Sequence, residues 1–124
     1  MKLTKNFHLS EFACKDGTNV PEHLIGNVQE LANNLQVLRD VMNEPINLNS
    51  AYRTVEHNLS VGGSSRSQHL EAKAGDIRIS SKYTANMIYE LIEELIECGE
   101  MKEGGLGLYS SFVHYDVRGY KARW

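Results

Sequence analysis

The segment between Pro21 and Pro45 constrains the fold more than any other part of the chain. Apolar residues recur along it in steps of three or four, the spacing that places side chains on one face of an α-helix. They are Leu24, Ile25, Val28, Leu31, Leu35, Leu38, Val41 and Met42. Proline suits the first helical position and disfavours helical backbone in the residue before it. We therefore expect a long helix that opens at Pro21, ends by Pro45 and covers a core.

A second apolar stripe predicts another helix on the same core. It consists of Met87, Ile88, Leu91, Ile92, Leu95 and Ile96. Ser80 or Ser81 is expected to cap the start of this helix, and Gly99 is a natural residue to end it.

Four segments are typical of β-strands: residues 46–50, 74–79, 104–109 and 112–118. Residues 54–67 contain two glycines and several serines and are predicted to form a loop. The 124 residues suffice for one domain. We predict a single α+β domain over residues 1–124, with a small antiparallel sheet and two main helices packed on one face.

The last predicted strand has one apolar and one polar face, because side chains alternate along a strand. The apolar face carries Val113, Tyr115 and Val117. The opposite face carries Phe112, His114, Asp116 and Arg118. Aspartate is disfavoured in strands, so such a row costs stability unless it has a use or faces water.

The strand at residues 74–79 repeats this pattern and adds potential metal ligands. Asp76 alternates with the apolar Ile77, and His69 precedes Asp76 by seven residues. His69, Asp76 and His114 can therefore point to one place. Two imidazoles and a carboxylate suit zinc, and three protein ligands leave a position for water, as in catalytic zinc sites. On residue types alone, solvated or hydrogen-bonded side chains without a metal remain the alternative.

Residues 67–76, SQHLEAKAGD, resemble the SxHxxGxAxD motif of the zinc D-alanyl-D-alanine carboxypeptidases. That superfamily also contains phage L-alanyl-D-glutamate endolysins and the hedgehog signalling domain. Other segments resemble its compact, phage- and prophage-associated branch: Phe7 with residues 9–17, and residues 50–54, 57–58, 61–63, 105–107 and 112–119. The resemblance covers nearly the whole chain. It implies hydrolysis of a peptide bond in bacterial cell-wall peptides, often next to a D-amino acid.

The resemblance also implies a cofactor and its ligands. Zn²⁺ is the expected cofactor, with His69, Asp76 and His114 as its ligands. The motif glycine is replaced by Ala72. This change is small if the φ angle there is negative and strained if it is positive.

Three residues are candidates for binding substrate. Arg53 matches the family arginine that is placed to hold a substrate carboxylate, a task that suits a planar guanidinium. The alternative for Arg53 is a surface salt bridge. Ser67 either hydrogen-bonds the substrate or shapes its loop. Arg118 is expected to hold a substrate carboxylate or to steady the oxyanion.

The general base departs from the family pattern. Relatives place Glu or Asp three residues before the last histidine ligand, where this chain has Ser111, or a second histidine two residues before it, where this chain has Phe112. Asp116 is the nearest candidate. It acts as the base, orients a ligand histidine, or only forms a salt bridge. Weaker candidates are Glu11, His57, Glu71 and Tyr109.

The missing acidic residue motivates a rival hypothesis, a non-catalytic zinc-binding module of a phage or prophage protein. A metal-free domain is a third possibility. The net charge of −3 argues against a nucleic-acid partner. The cationic residues near the C-terminus are expected to form a solvated end. They are Arg118, Lys121 and Arg123.

We expect a monomer without a membrane partner, whose substrate is a peptidoglycan peptide. Residues 1–11 contain no apolar stretch typical of a signal peptide, which predicts synthesis in the cytoplasm. This fits a protein released by phage lysis and equally a prophage remnant that stays in a bacterial cytosol. Cys14 and Cys98 are far apart in sequence and are expected to be buried or half-buried free thiols.

Overall fold

The computed structural model describes residues 1–124 and confirms an α+β fold. The long helix, α1, spans Ile25–Met42 and follows a 3-10 turn at Glu22–Leu24, so it begins later than the predicted start at Pro21. It ends where Asn43 takes a left-handed conformation, before Pro45. The stripe is buried as predicted from Val28 to Leu38 and at Met42, whereas Leu24 and Ile25 are partly buried and Val41 is 47% exposed. Val41 follows Leu38 by three residues but lies at the edge of the stripe, beyond the reach of the core.

Two shorter helices follow, of which only one was predicted. Helix α2 spans Val55–Ser60 and falls in the segment predicted as a loop. Thr54 caps it by accepting a hydrogen bond from the backbone N–H of His57. The apolar side chains of Val55 and Leu59 are exposed, so this helix has no buried stripe that could have revealed it.

Helix α3 spans Ala85–Glu97, and Thr84 caps it instead of the predicted Ser80 or Ser81. The Ser80 hydroxyl instead accepts hydrogen bonds from the backbone in the turn before the helix. Gly99 ends the helix as predicted, with a φ of 80°. The prediction that Met87 belongs to the buried stripe is wrong, because its side chain is 46% exposed and does not reach the core.

One five-stranded sheet completes the fold. Its strands are β1 (Leu48–Ser50), β2 (Ala74–Arg78), β3 (Gly105–Leu108), β4 (Phe112–Asp116) and β5 (Ala122–Arg123). Their order is β1-β2-β4-β3-β5, and every pairing is antiparallel except the parallel pair β3–β5. The predicted solvated C-terminal end is wrong, because residues 122–123 pair with β3 and Arg123 donates hydrogen bonds to Glu93 and Glu103.

The sheet has one face in the core and one polar face. Val113, Tyr115 and Ile77 are fully buried on the first, in a single cluster with the apolar sides of α1 and α3. The second face carries the polar row of β2 and β4. The two main helices therefore leave the polar face uncovered for a site.

The two cysteines differ in exposure. Cys14 is buried, whereas Cys98 is exposed, so the prediction is wrong for Cys98. Cys98 is the cap residue that directly follows α3, and it lies at the surface. No helix in the structure combines the length and the apolar character that a membrane crossing requires.

Candidate metal centre

Three potential metal ligands meet on the polar face of the sheet. Asp76 of β2 and His114 of β4 are direct cross-strand partners. His69 lies on a 3-10 turn, Gln68–Glu71, that leads into β2. Oδ1 of Asp76 is 3.2 Å from Nε2 of His69 and 3.2 Å from Nδ1 of His114. All three side chains are buried, and together they form a group that can hold one metal ion.

The far nitrogen of each histidine has its own hydrogen-bond acceptor. Nδ1 of His69 donates to the carbonyl oxygen of Ala51 at 2.6 Å. Nε2 of His114 donates to Oδ2 of Asp116 at 2.7 Å. A carbonyl and an ionised carboxylate only accept, so these nitrogens carry the protons of the neutral rings. The near nitrogens, Nε2 of His69 and Nδ1 of His114, then present lone pairs towards Asp76.

Three hydrogen-bond acceptors, the near nitrogens of the two histidines and Oδ1 of Asp76, therefore converge in a buried space, and none of them carries a proton to donate to the others. Such an arrangement is repulsive unless a proton or a cation lies among the three groups. Two imidazoles and one carboxylate are a ligand set that zinc favours. Each histidine is also oriented by a second group, Ala51 or Asp116, as is usual for metal-binding histidines. The residues present thus fit a zinc ion.

Without a metal, a proton takes the place of the cation. Burial favours the neutral form of His114, but hydrogen bonds to Asp116 and Asp76 outweigh it and raise the pKa of His114 above its usual value. Burial likewise opposes ionisation of Asp76, yet hydrogen bonds from His114 and His69 lower its pKa below the usual range. A zinc ion held by these three residues would therefore have to displace that proton.

The carboxylate of Asp116 is completely buried, and both of its oxygens accept several hydrogen bonds. Oδ1 accepts hydrogen bonds from the backbone N–H of Gly105 and from the backbone N–H and Nε of Arg118. Oδ2 accepts from His114 and from Nη2 of Arg118. Burial raises the pKa of Asp116, but the hydrogen bonds from His114, Arg118 and Gly105 lower it by more. This carboxylate remains ionised and holds His114 in place.

Arg53 lies beside the metal centre and is braced from two sides. Its Nε donates to the Ser50 hydroxyl at 3.0 Å, and its Nη1 donates to Oδ1 of Asn58 at 3.2 Å. Nη2 is 3.5 Å from Oδ2 of Asp76. A Cβ atom at Gly63 would lie 2.0 Å from Oδ1 of Asn58, so only glycine leaves room for this brace. Arg53 is thus not a surface salt bridge.

Ser67 and Ala72 shape the turn that carries His69. The Ser67 hydroxyl caps the turn by accepting from the backbone N–H of His69 at 3.2 Å, and it also borders the cleft. Ala72 ends the turn with a φ of 57°, the left-handed conformation that favours glycine. The departure from the family motif at Ala72 is therefore a strained one, worth about 1–2 kcal/mol.

An aromatic wall closes one side of the centre. The indole of Trp124 lies 4.9 Å from the His114 ring, and its Nε1 donates to the Tyr109 hydroxyl at 2.7 Å. Tyr109 stacks on Phe112 with ring centroids 4.3 Å apart. The guanidinium of Arg118 lies over the Trp124 and Tyr120 rings while it is bound to Asp116. Arg118 therefore borders the cleft with only part of its hydrogen-bonding capacity free.

Two glycines of β3 make this arrangement possible. A Cβ atom at Gly107 would lie 2.4 Å from Nε1 of Trp124, and one at Gly105 would lie 2.2 Å from Oδ2 of Asp116. The polar face of β3 is left bare so that neighbouring side chains can cross it. The pattern Gly105-Leu106-Gly107 is the sequence signal for this open space on β3.

The metal centre opens into a cleft of about 870 Å³. Three arginines border it, namely Arg53, Arg66 and Arg118. Asp76 is the one carboxylate among its lining residues. Of the weaker base candidates, only Tyr109 lines the cleft; Glu11, His57 and Glu71 do not.

Sequence reasoning assigned no role to Asn58, Arg66 or Trp124. Asn58 stands in a segment that carries the family resemblance, five residues before Gly63, which makes room for its side chain. The position of Trp124 depends on the pairing of β5, which is only two residues long and carries no periodic signal.

The family model described as Peptidase M15 matches residues 4–116. None of the curated proteins matches the chain. The matched region includes the three candidate metal ligands and Asp116. The chain therefore belongs to the Peptidase M15 family, whose members are metallopeptidases that in general depend on zinc.

Proposed function

We propose that the protein is a zinc-dependent hydrolase of peptide bonds in bacterial cell-wall peptides. The observation that carries this proposal is the convergence of His69, Asp76 and His114 at the floor of an open cleft. When bound there, zinc would polarise the scissile carbonyl and supply an acidified water. The family membership supports hydrolysis of a peptide, and the charge of the cleft supports an anionic peptide.

The cleft selects anions through its arginines. Asp116 balances the charge of Arg118, and a metal is expected to neutralise Asp76, so Arg53 and Arg66 leave the cleft positive. Stem peptides of peptidoglycan carry free carboxylates, which guanidinium groups bind through paired hydrogen bonds. A volume of about 870 Å³ is ample for several peptide residues.

Arg53 is the residue we assign to the substrate carboxylate. Ser50 and Asn58 fix its guanidinium next to the metal ligands, so little side-chain entropy is lost on binding. Arg118 is less available because Asp116 already takes two of its nitrogen atoms. Ser67 supports the turn of His69, which favours a shaping role over direct substrate binding.

The contacts of Asp116 favour a positioning role over that of general base. Its two oxygens accept five hydrogen bonds, and its side chain has no exposed surface. A base must reach the proton that it removes, directly or through one water. Asp116 instead acts on the reaction through the orientation and charge of His114.

The inaccessibility of Asp116 as a base also favours a second candidate function, a zinc-binding module without hydrolysis. The lining of the cleft offers no carboxylate apart from the ligand Asp76. Under this alternative, the protein holds zinc and binds anionic peptides through Arg53 and Arg66 but releases them intact.

One experiment separates the two functions. Zinc-loaded protein is incubated with purified peptidoglycan, and the soluble and digested muropeptides are analysed by mass spectrometry. A chelated sample and the His114→Ala variant are the controls. Loss of a single terminal residue identifies a carboxypeptidase, and cleavage within stem peptides or cross-links identifies an endopeptidase. Intact muropeptides from protein that holds zinc contradict the hydrolase and support the binding module.

We also propose that the protein reaches its substrate from the cytoplasm when a phage lyses the cell. Expression in a bacterium should leave the culture intact, and co-expression of a membrane-permeabilising phage protein should cause rapid lysis. The His114→Ala variant should not accelerate that lysis. Equal lysis with this variant would contradict the proposal.

A further inference from the structure

A second group of metal-ligating side chains converges outside the cleft. It consists of Cys14, Asp16 and His57, whose potential ligand atoms all lie within 4.8 Å of one another. We propose that these three residues form a second metal site, which binds a borderline divalent cation such as zinc. A thiolate, an imidazole and a carboxylate are all established zinc ligands, and a thiolate disfavours magnesium or calcium.

The backbone brings these residues together before any metal is present. Cys14 and Asp16 lie in a tight loop that is closed by the hydrogen bond from Cys14 N to Thr18 O at 2.9 Å. His57 lies on helix α2. The Thr54 hydroxyl, which caps this helix, donates to Oδ2 of Asp16 at 2.8 Å. The loop and the helix are therefore already joined, so little ordering remains for a cation to impose.

The three residues differ in exposure, so the site has a buried side and a side that is open to solvent. Cys14 is 3% exposed, His57 is half-buried and Asp16 is exposed. A cation can enter from the side of Asp16 and reach the buried sulfur. Three protein ligands would leave the remaining positions to solvent on that side.

Both oxygens of Asp16 accept one hydrogen bond, from the Thr18 backbone N–H and the Thr54 hydroxyl, and each keeps a lone pair for a metal. No lysine or arginine forms an ion pair with Asp16. The ring nitrogens of His57 make no hydrogen bond within the protein, and its hydrogen bonds all involve the backbone N–H and carbonyl groups. Cys14 forms no disulfide. A cation would therefore replace few existing interactions.

A metal here would brace the arginine side of the cleft. Helix α2 also carries Asn58, which accepts a hydrogen bond from Arg53. The backbone N–H of Tyr52 donates to Phe12 O at 3.1 Å, just before the loop of Cys14. The second site thus links the N-terminal loop to the segment that holds Arg53, which points to a structural role.

Cobalt(II) distinguishes the two sites, because only the second contains sulfur. Metal-free, reduced protein is titrated with Co²⁺, and thiolate-to-cobalt charge transfer is followed in the near-ultraviolet. We expect two equivalents of Co²⁺ to bind per chain, and the amplitude of this band to correspond to one of them. His114→Ala should keep the band, so failure of the cleft site does not affect the test.

Variants assign the band to its ligands. Cys14→Ser should abolish it, and His57→Gln should weaken Co²⁺ binding at this site by at least about tenfold. Cys98→Ser is the matched control, since Cys98 is the other free thiol, and it should keep the band. His57 is only half-buried, so His57→Gln tests the site even if Cys14→Ser fails to fold. The proposal is overturned if the wild type shows no thiolate band, or if the band survives His57→Gln at unchanged affinity or disappears in Cys98→Ser.

Discussion

Nε2 of His114 lies 2.7 Å from Oδ2 of Asp116, two residues further along the same strand. Residues two apart on a strand share a face, so this contact follows from β4 itself. The backbone N–H of Gly105 and the guanidinium of Arg118 hold the carboxylate in place. As a result, Nδ1 of His114 faces the metal centre with its lone pair.

Asp116→Asn is expected to lower zinc affinity by about 10- to 100-fold, because the amide lacks the charge that stabilises the His114 proton. Competition with a chromogenic chelator measures the affinity. Activity should recover substantially at saturating zinc, since the residue acts through His114. Asp40→Asn, which alters an exposed aspartate on α1, should change neither value. Wild-type zinc affinity combined with lost activity would show instead that Asp116 is the base.

The metal-free and zinc-loaded proteins should respond oppositely to pH. The pKa of His114 is raised in the folded metal-free protein, so its stabilising contribution is complete below the unfolded pKa of about 6.5 and is lost as the pH rises through the folded value. Zinc requires the neutral ring, so its stabilisation grows with pH. From about pH 6 to about pH 8, we expect Tm to fall in chelator and the zinc-induced gain in Tm to increase.

His114→Gln provides the reference for these melting curves, because it removes the titrating group. The fall in Tm in chelator should be smaller in this variant than in the wild type. An equal fall would show that other groups control the pH dependence.

Asn58→Ala should weaken substrate binding and leave metal binding intact, because Asn58 does not contact the metal ligands. The substitution removes the acceptor for Nη1 of Arg53, so the guanidinium loses its fixed orientation. We expect KM to rise roughly tenfold, equivalent to about 1.4 kcal/mol, while zinc content stays unchanged. Asn86→Ala, at an exposed position of α3, is the control. An unchanged KM would show either that Arg53 does not bind the substrate or that Arg53 does not need the hydrogen bond to Asn58 in order to bind it.

Gly107→Ala should displace the aromatic wall. The new methyl group would lie 2.4 Å from Nε1 of Trp124, so the indole must move and lose its hydrogen bond to Tyr109. We expect a loss of about 1–3 kcal/mol in stability. Trp124 is the single tryptophan, so a shift in its fluorescence reports the movement directly.

Gly26→Ala is the matched control for that substitution, because a Cβ atom there meets nothing within 4 Å. It lies in α1, where alanine is the better helix former, so stability should rise by about 0.5–1 kcal/mol with unchanged fluorescence. A Gly107→Ala protein with the same fluorescence as the wild type would contradict the position of the indole.

The sequence by itself determined the helical stripes of α1 and α3, the two faces of β4 and the residue types of the metal centre. These features follow from local periodicity, since a side chain's face depends only on its position along its own element. Motif resemblance added which polar residues belong together. Exposure at the stripe edges, as at Val41 and Met87, depends on the partner and could not be predicted this way.

Only the tertiary structure decided how those residues act. The register of β2 against β4 places Asp76 opposite His114, and the bare position at Gly105 lets Asp116 turn inward to hold the histidine. The brace of Arg53 and the position of Trp124 likewise depend on contacts between segments distant in the chain. Such contacts leave no periodic trace in the sequence, because packing of separate elements, rather than local backbone preference, fixes their geometry.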